Sequence, residues 1–138
     1  MVDLLYRNEV FQIVGLCMEI HRELGKGFDE VVYKDALVLE LKRAGIVFSR
    51  EVPFQISYKD VVLPHLYRAD FTVLDEILLE VKAVDRLVDD HVKQVLNYIA
   101  AAKLELGLLV NFGSDSLEWK RVILSRPQAR PLPKDFRL

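Results

Sequence analysis

Apolar residues recur at helical spacing from residue 4 to residue 24, with Val10, Val14, Cys17, His21 and Leu24 along one face. This predicts a first helix. The stretch LGKGFDE breaks the pattern at Gly25 and Gly27. A second helical pattern runs from Phe28 to Ala44 and ends at Gly45, a suitable residue just past a helix end. The spacing then changes. PFQISY reads as a strand, Lys59-Asp60 as a polar turn, and HLYRADFTVL and ILLEVKA as two further strands joined through Asp75-Glu76. DDHVKQVLNYIAAAK returns to helical spacing, with Val92, Val95, Leu96 and Ile99 as its core stripe and Asp89 or Asp90 as its cap. LGLLVNFG is continuously apolar, as expected of a strand covered on both faces, and EWKRVIL is the last strand. No internal repeat is present. The order of elements predicts an α/β or α+β layer domain, with helices packed on a mixed sheet.

The chain has 138 residues, enough for one domain with a real core. Residues 1–124 are expected to form that domain. Residues 125–138, with three of the five prolines and several basic residues, are expected to form an extended or mobile tail. A formal net charge of −2 excludes a strongly basic coat, so contact with phosphates would need a local patch or metal ions. Cys17 has no partner for an internal disulfide. The opening MVDLLYRNEV turns polar within a few residues, so no signal peptide is expected. No apolar run reaches membrane-spanning length. A cytoplasmic protein with no membrane contact is the expectation.

Three carboxylates and a lysine do not fit this simple pattern. Along ILLEVK, Glu80 and Lys82 share a face while Val81 points away. Asp70 lies on the preceding strand. It reaches the face of Glu80 only if the connection around Leu74 to Glu76 has odd length or carries a bulge. On the second helix, Glu30 points near the direction of Leu37 and Leu41, close to the helix start, where the dipole favours its charge. Paired carboxylates beside a lysine suit a magnesium site, with the ion activating water and the lysine stabilising developing charge. The plainer reading is a satisfied ion pair, Glu80 with Lys82 or Asp70 with Arg68. His91, Gln94 and Tyr98 form a side stripe on the third helix that is either a cleft wall or an exposed flank. His21 reads as a hydrogen-bonded core residue, and Cys17 as a weak nucleophile. No P-loop, dinucleotide loop, zinc-spaced Cys/His cluster or nucleophile elbow is present.

Gly27 to Tyr33 spells G-x-x-E-x-x-Y. With YRADF, LLEVKA, QVLNYI and LGLLVNFG in order over residues 5–124, the chain resembles the GxxExxY proteins of the PD-(D/E)xK nuclease-like superfamily. The resemblance implies a restriction-endonuclease-like core, a central mixed β-sheet flanked by helices. It implies a metal-dependent phosphodiesterase site using magnesium or manganese. Asp70, Glu80, Lys82 and Glu30 would be its catalytic residues, with Ala69 in place of the motif's proline. Glu30, Asp70, Glu80 and the carbonyl of Val81 would hold the metal. Gln94 and Tyr98 match a Q-x-x-x-Y motif and would position substrate, joined by Arg68 and Tyr33. DNA or RNA would dock near Lys26, Arg68 and Arg86. The alternative is a non-catalytic nucleic-acid-binding or interaction module that keeps the fold and an ion-pair network. A third reading, a homo-oligomer, rests on the apolar surface of the two long helices.

Overall fold

A computed structural model describes residues 6–124 of the protein. Helices α1 (Arg7–Leu24) and α2 (Glu30–Arg43) precede strands β1 (Phe48–Tyr58), β2 (Val61–Val73) and β3 (Ile77–Lys82). Helix α3 (Asp89–Ala102) then crosses over to β4 (Leu106–Asn111), and β5 (Glu118–Ile123) closes the sheet. The five strands lie in chain order. Only β3 and β4 are parallel; the other neighbours are antiparallel. This is the expected mixed sheet with helices on both faces. The expected tail, 125–138, lies outside the described residues.

Two apolar layers hold the helices to the sheet. Val10, Ile13, Val14, Cys17 and Ile20 of α1 join Tyr33, Leu37 and Leu41 of α2 against Phe71, Val73, Ile77, Leu79 and Val81. On the other face, Val95 and Ile99 of α3 pack on Ala69, Leu78, Leu109 and Val122. All six residues of β4 are buried, as its unbroken apolar run predicts.

The elements differ from expectation at their ends. In α1 the buried seam includes Ile13 and Ile20, while His21 and Leu24 sit at its margin. His21 makes the expected hydrogen bond, donating from Nε2 to the carbonyl of Ser114 at 2.9 Å, but does so half-buried at the edge of the core. Helix α2 starts at Glu30 rather than Phe28, because Asp29 is still extended. Strand β1 starts five residues before PFQISY. Its inward row is Phe48, Arg50, Val52 and Phe54, and the arginine hides the alternation. Arg50 earns its place by pairing with Asp35 at 2.7 Å and lying over the ring of Phe71. Strand β2 starts at Val61, ahead of Pro64, which the ladder tolerates because the β1–β2 register shifts between Gln55 and Ser57. Neither Asp89 nor Asp90 caps α3. The cap position is Val88, whose N–H donates to Nδ1 of His91 at 3.0 Å, and both aspartates fall in the first turn.

The β1–β2 ribbon outgrows the sheet. Ile56, Tyr58, Val61, Val62 and Leu66 are all exposed along its outer half. Its rows also change sides. Phe71 and Val73 face α1 and α2, yet Ala69 and Tyr67 of the same row pack with α3. The swivel falls at Asp70. There the β1–β2 pairing skips Glu51 and Asp70, and Glu51 takes a left-handed φ of 55°. A left-handed glutamate in mid-strand is strained and bends the ribbon.

No helix among the described residues is long and apolar enough to cross a membrane.

Candidate active site

The connection from β2 to β3 settles the position of Asp70. Val73 pairs with Ile77, so the loop is Leu74, Asp75 and Glu76, an odd length. Leu74 and Asp75 both take positive φ, a tight turn closed by Glu76 N–H to Val73 O at 3.1 Å. The pairing continues through Thr72–Leu78 to Phe71–Leu79 and stops. The next pair would be Asp70 with Glu80.

Here side chains replace the ladder. The N–H of Asp70 donates to Oε2 of Glu80 at 2.7 Å, and the N–H of Val81 donates to Oδ2 of Asp70 at 2.8 Å. Each carboxylate thus accepts an N–H of the facing strand in place of a carbonyl of its own strand, and is held in one rotamer by doing so. Because Asp70 sits at the swivel, it reaches across the plane of the sheet rather than standing squarely on the face of Glu80. Its Oδ1 turns toward α2 and meets Nζ of Lys34 at 2.7 Å. Lys34 also lies 3.2 Å from Oε1 of Glu30, one helical turn before it. The site therefore straddles the strand ends, with α2 on one side and α3 on the other.

The α3 side carries the rest. Nζ of Lys82 donates to Oε1 of Gln94 at 3.0 Å. Tyr98 stacks on Tyr67, ring centroids 3.8 Å apart, and Tyr67 stacks in turn on Phe54. The Tyr67 hydroxyl donates to the carbonyl of Tyr98 at 3.1 Å. The stretch after Lys82 is pinned by the buried Asn111, whose Oδ1 accepts from Val84 N and whose Nδ2 donates to Val84 O, both at 2.9 Å.

The charges are unevenly matched. Glu80 is 4% exposed. Burial, then the charge of Asp70, pushes its carboxyl up to about 8, against the pull of the Asp70 N–H, Lys82 and Lys34. Burial works against the ammonium of Lys34, but Asp70 and Glu30 overcome it and raise its pKa. Tyr98 is held above the ordinary phenol range by burial and by Glu80 and Asp70. Cys17, fully buried in the core, is pushed up to about 12, consistent with an inert thiol.

The expected residues are only partly gathered. Asp70, Glu80, Lys82, Gln94 and Tyr98 cluster at the strand ends, and Glu30 joins through Lys34. The ion pair of Asp70 is with Lys34, not Arg68. Tyr33 does not join. It is fully buried, stacked on Phe112 at 4.6 Å, and its hydroxyl donates to Gly25 O at 2.6 Å while accepting from Phe28 N at 3.2 Å. That hydroxyl is spent on the loop backbone, so Tyr33 leaves the substrate-binding set. Arg68 and Arg86 are exposed, and Lys26 pairs with Asp115 at 2.6 Å. Lys34 and Glu51 are the residues that sequence reasoning missed. The signal for Lys34 was its i, i+4 spacing from Glu30. Glu51 gave none, since its approach depends on the strained backbone.

A hard divalent cation fits the donor chemistry, because carboxylate and carbonyl oxygens are its preferred ligands and Glu80 is short of positive charge. Among the described residues, no three acidic, histidine or cysteine groups converge closely enough to ligate an ion as they stand. Lys34 stands between two of them.

Comparison with known proteins agrees with this architecture. A crystal structure described as that of SSO0001 superposes with a TM-score of 0.55 at 21% identity. The match covers 67% of this chain but only 48% of that one, so this protein spans about half the length of that relative. At that identity the likeness speaks for the fold alone. No curated protein matches. The sequence profile of the PD-(D/E)XK nuclease superfamily matches residues 7–122, nearly the whole described domain, and the chain belongs to that superfamily.

Proposed function

We propose that the protein is a divalent-metal-dependent nuclease that hydrolyses phosphodiester bonds in DNA or RNA. The observation that carries this reading is the reciprocal pair Asp70–Glu80, set beside a lysine that Gln94 holds in place. Members of the superfamily generally use divalent cations. Asp70, Glu80 and the Val81 carbonyl would hold magnesium or manganese, with Glu30 as a further ligand. Such an ion activates a water molecule and offsets charge on the phosphate.

The chain's own residues supply the rest. In hydrolysis the water oxygen bonds to phosphorus, the bond to one ester oxygen breaks, and negative charge grows on the phosphoryl oxygens. The Lys82 ammonium, restrained by Gln94, is oriented to stabilise that charge. Tyr98, stacked on Tyr67, offers a hydroxyl to the sugar-phosphate chain or a ring edge to a base. Arg68 and Arg86 extend positive charge past the site, which suits phosphates on either side of the cleaved bond.

The test is cleavage of single- and double-stranded DNA and RNA with magnesium or manganese, using the wild type, Asp70→Asn and Lys82→Met. Asp70→Asn retains an acceptor for Val81 N and removes the charge. Both variants should lose at least a hundredfold in rate with their circular dichroism unchanged. Cleavage that persists in both refutes the assignment.

A specific observation favours one alternative. The pairing of Lys34 with Asp70 and Glu30 is what a non-catalytic domain would show if the old site survived as an ion-pair network. Calorimetric titration with magnesium and manganese separates the readings, because that network alone would take up neither ion.

A further inference from the structure

Lys34 is a charged group at the centre of the site with no part in the chemistry above. Its Nζ is 2.7 Å from Oδ1 of Asp70, 3.2 Å from Oε1 of Glu30 and 4.0 Å from Oε1 of Glu51. Its side chain is 14% exposed and that of Asp70 13%, so the contact with Asp70 is largely shielded from solvent. Two of its three partners are the carboxylates assigned to the metal. An ammonium at these distances takes the charge that a cation would take, on an oxygen that a cation would need. The two cannot be held together without strong like-charge repulsion in a poorly solvated place.

Glu51 supplies a destination. It sits at the break in the β1–β2 pairing, and its left-handed backbone brings its carboxylate within 4.0 Å of the same ammonium. Its side chain is 49% exposed, so it can accept Lys34 near solvent.

We propose that Lys34 is an internal counter-ion which holds the carboxylates in the metal-free protein and which a divalent cation must displace toward Glu51. The inference rests on the metal site proposed above. It makes metal affinity a competition, set by how firmly the chain's own cation is held.

The experiment is manganese binding, followed by electron paramagnetic resonance and calorimetry on the full chain without substrate. Lys34→Met should bind manganese at least tenfold more tightly than the wild type, and Lys34→Arg should stay near the wild type. Should Lys34→Met fail to fold, Lys34→Gln serves in its place. Wild-type binding with no tightening in the neutral variant overturns this inference and leaves the metal site standing. Failure of every form to bind manganese overturns the metal site, and this inference with it. Glu51→Gln should weaken binding in the wild type and have little effect in the Lys34→Met background. Equal weakening in both backgrounds would make Glu51 a ligand and overturn its receiving role.

Discussion

Glu80→Gln should stabilise the metal-free protein at alkaline pH. In the unfolded chain this carboxyl loses its proton near its ordinary value of 4.5, whereas in the folded protein it does so near about 8. Between those values the folded state holds a proton that the unfolded state has lost. Stability from this group is therefore complete below about 4.5 and is lost as the pH rises through about 8. The displacement corresponds to about 5 kcal/mol, an order-of-magnitude figure, at pH values above the window. Glutamine keeps the oxygen that accepts from Asp70 N and carries no charge to bury. The assay is urea unfolding at pH 5 and pH 8.5 in the presence of a chelator. The variant should gain several kcal/mol on the wild type at the higher pH and little at the lower. Parallel stability of the two proteins across the range would refute the reasoning, since it would mean that Glu80 ionises freely where it sits.

Tyr33→Phe should cost about 1 to 2 kcal/mol in chemical unfolding, because it leaves Gly25 O and Phe28 N without their shared hydroxyl and keeps the ring packing. Gly113→Ala should lower the melting temperature markedly, by the equivalent of about 2 kcal/mol or more, since a Cβ there would collide with the rigid backbone of Ala83 and Val84. An unchanged melting temperature would show that this connection yields.

The sequence made the layered architecture legible because its helices and buried strands have distinct periods. The unbroken run of β4 is legible from residue pattern alone, whereas the odd loop before Ile77 follows only from requiring Asp70 to reach Glu80. The three-residue loop has the parity expected and brings Asp70 beside Glu80, though not squarely onto its face. The swivel at Asp70 leaves no trace in the alternation, which assumes a flat strand, because it goes with the left-handed conformation of Glu51. Arg50 hid the first half of β1 for a related reason, as an inward arginine looks like a break until its partners Asp35 and Phe71 are in place. Tyr33 went wrong in the opposite direction. A tyrosine one turn after Glu30 resembles a site residue, and only packing against Phe112 reveals it as core. Lys34 was visible on the helix beside Glu30, but its contact with Asp70 is made between elements 36 positions apart in the chain and leaves no local mark.

The swivel at Glu51 and Asp70 is also a fulcrum. Beyond it β1 runs from Val52 to Tyr58, an arm of roughly 20 Å at the usual rise per residue. Phe54, Tyr67 and Tyr98 clamp the base of that arm to α3, and its outer half touches no helix core. Rotation concentrates where ladder bonds are missing, and they are missing beside the carboxylates. The exposed arm is thus joined to the sheet through the same pair of positions that holds one of the site's carboxylates.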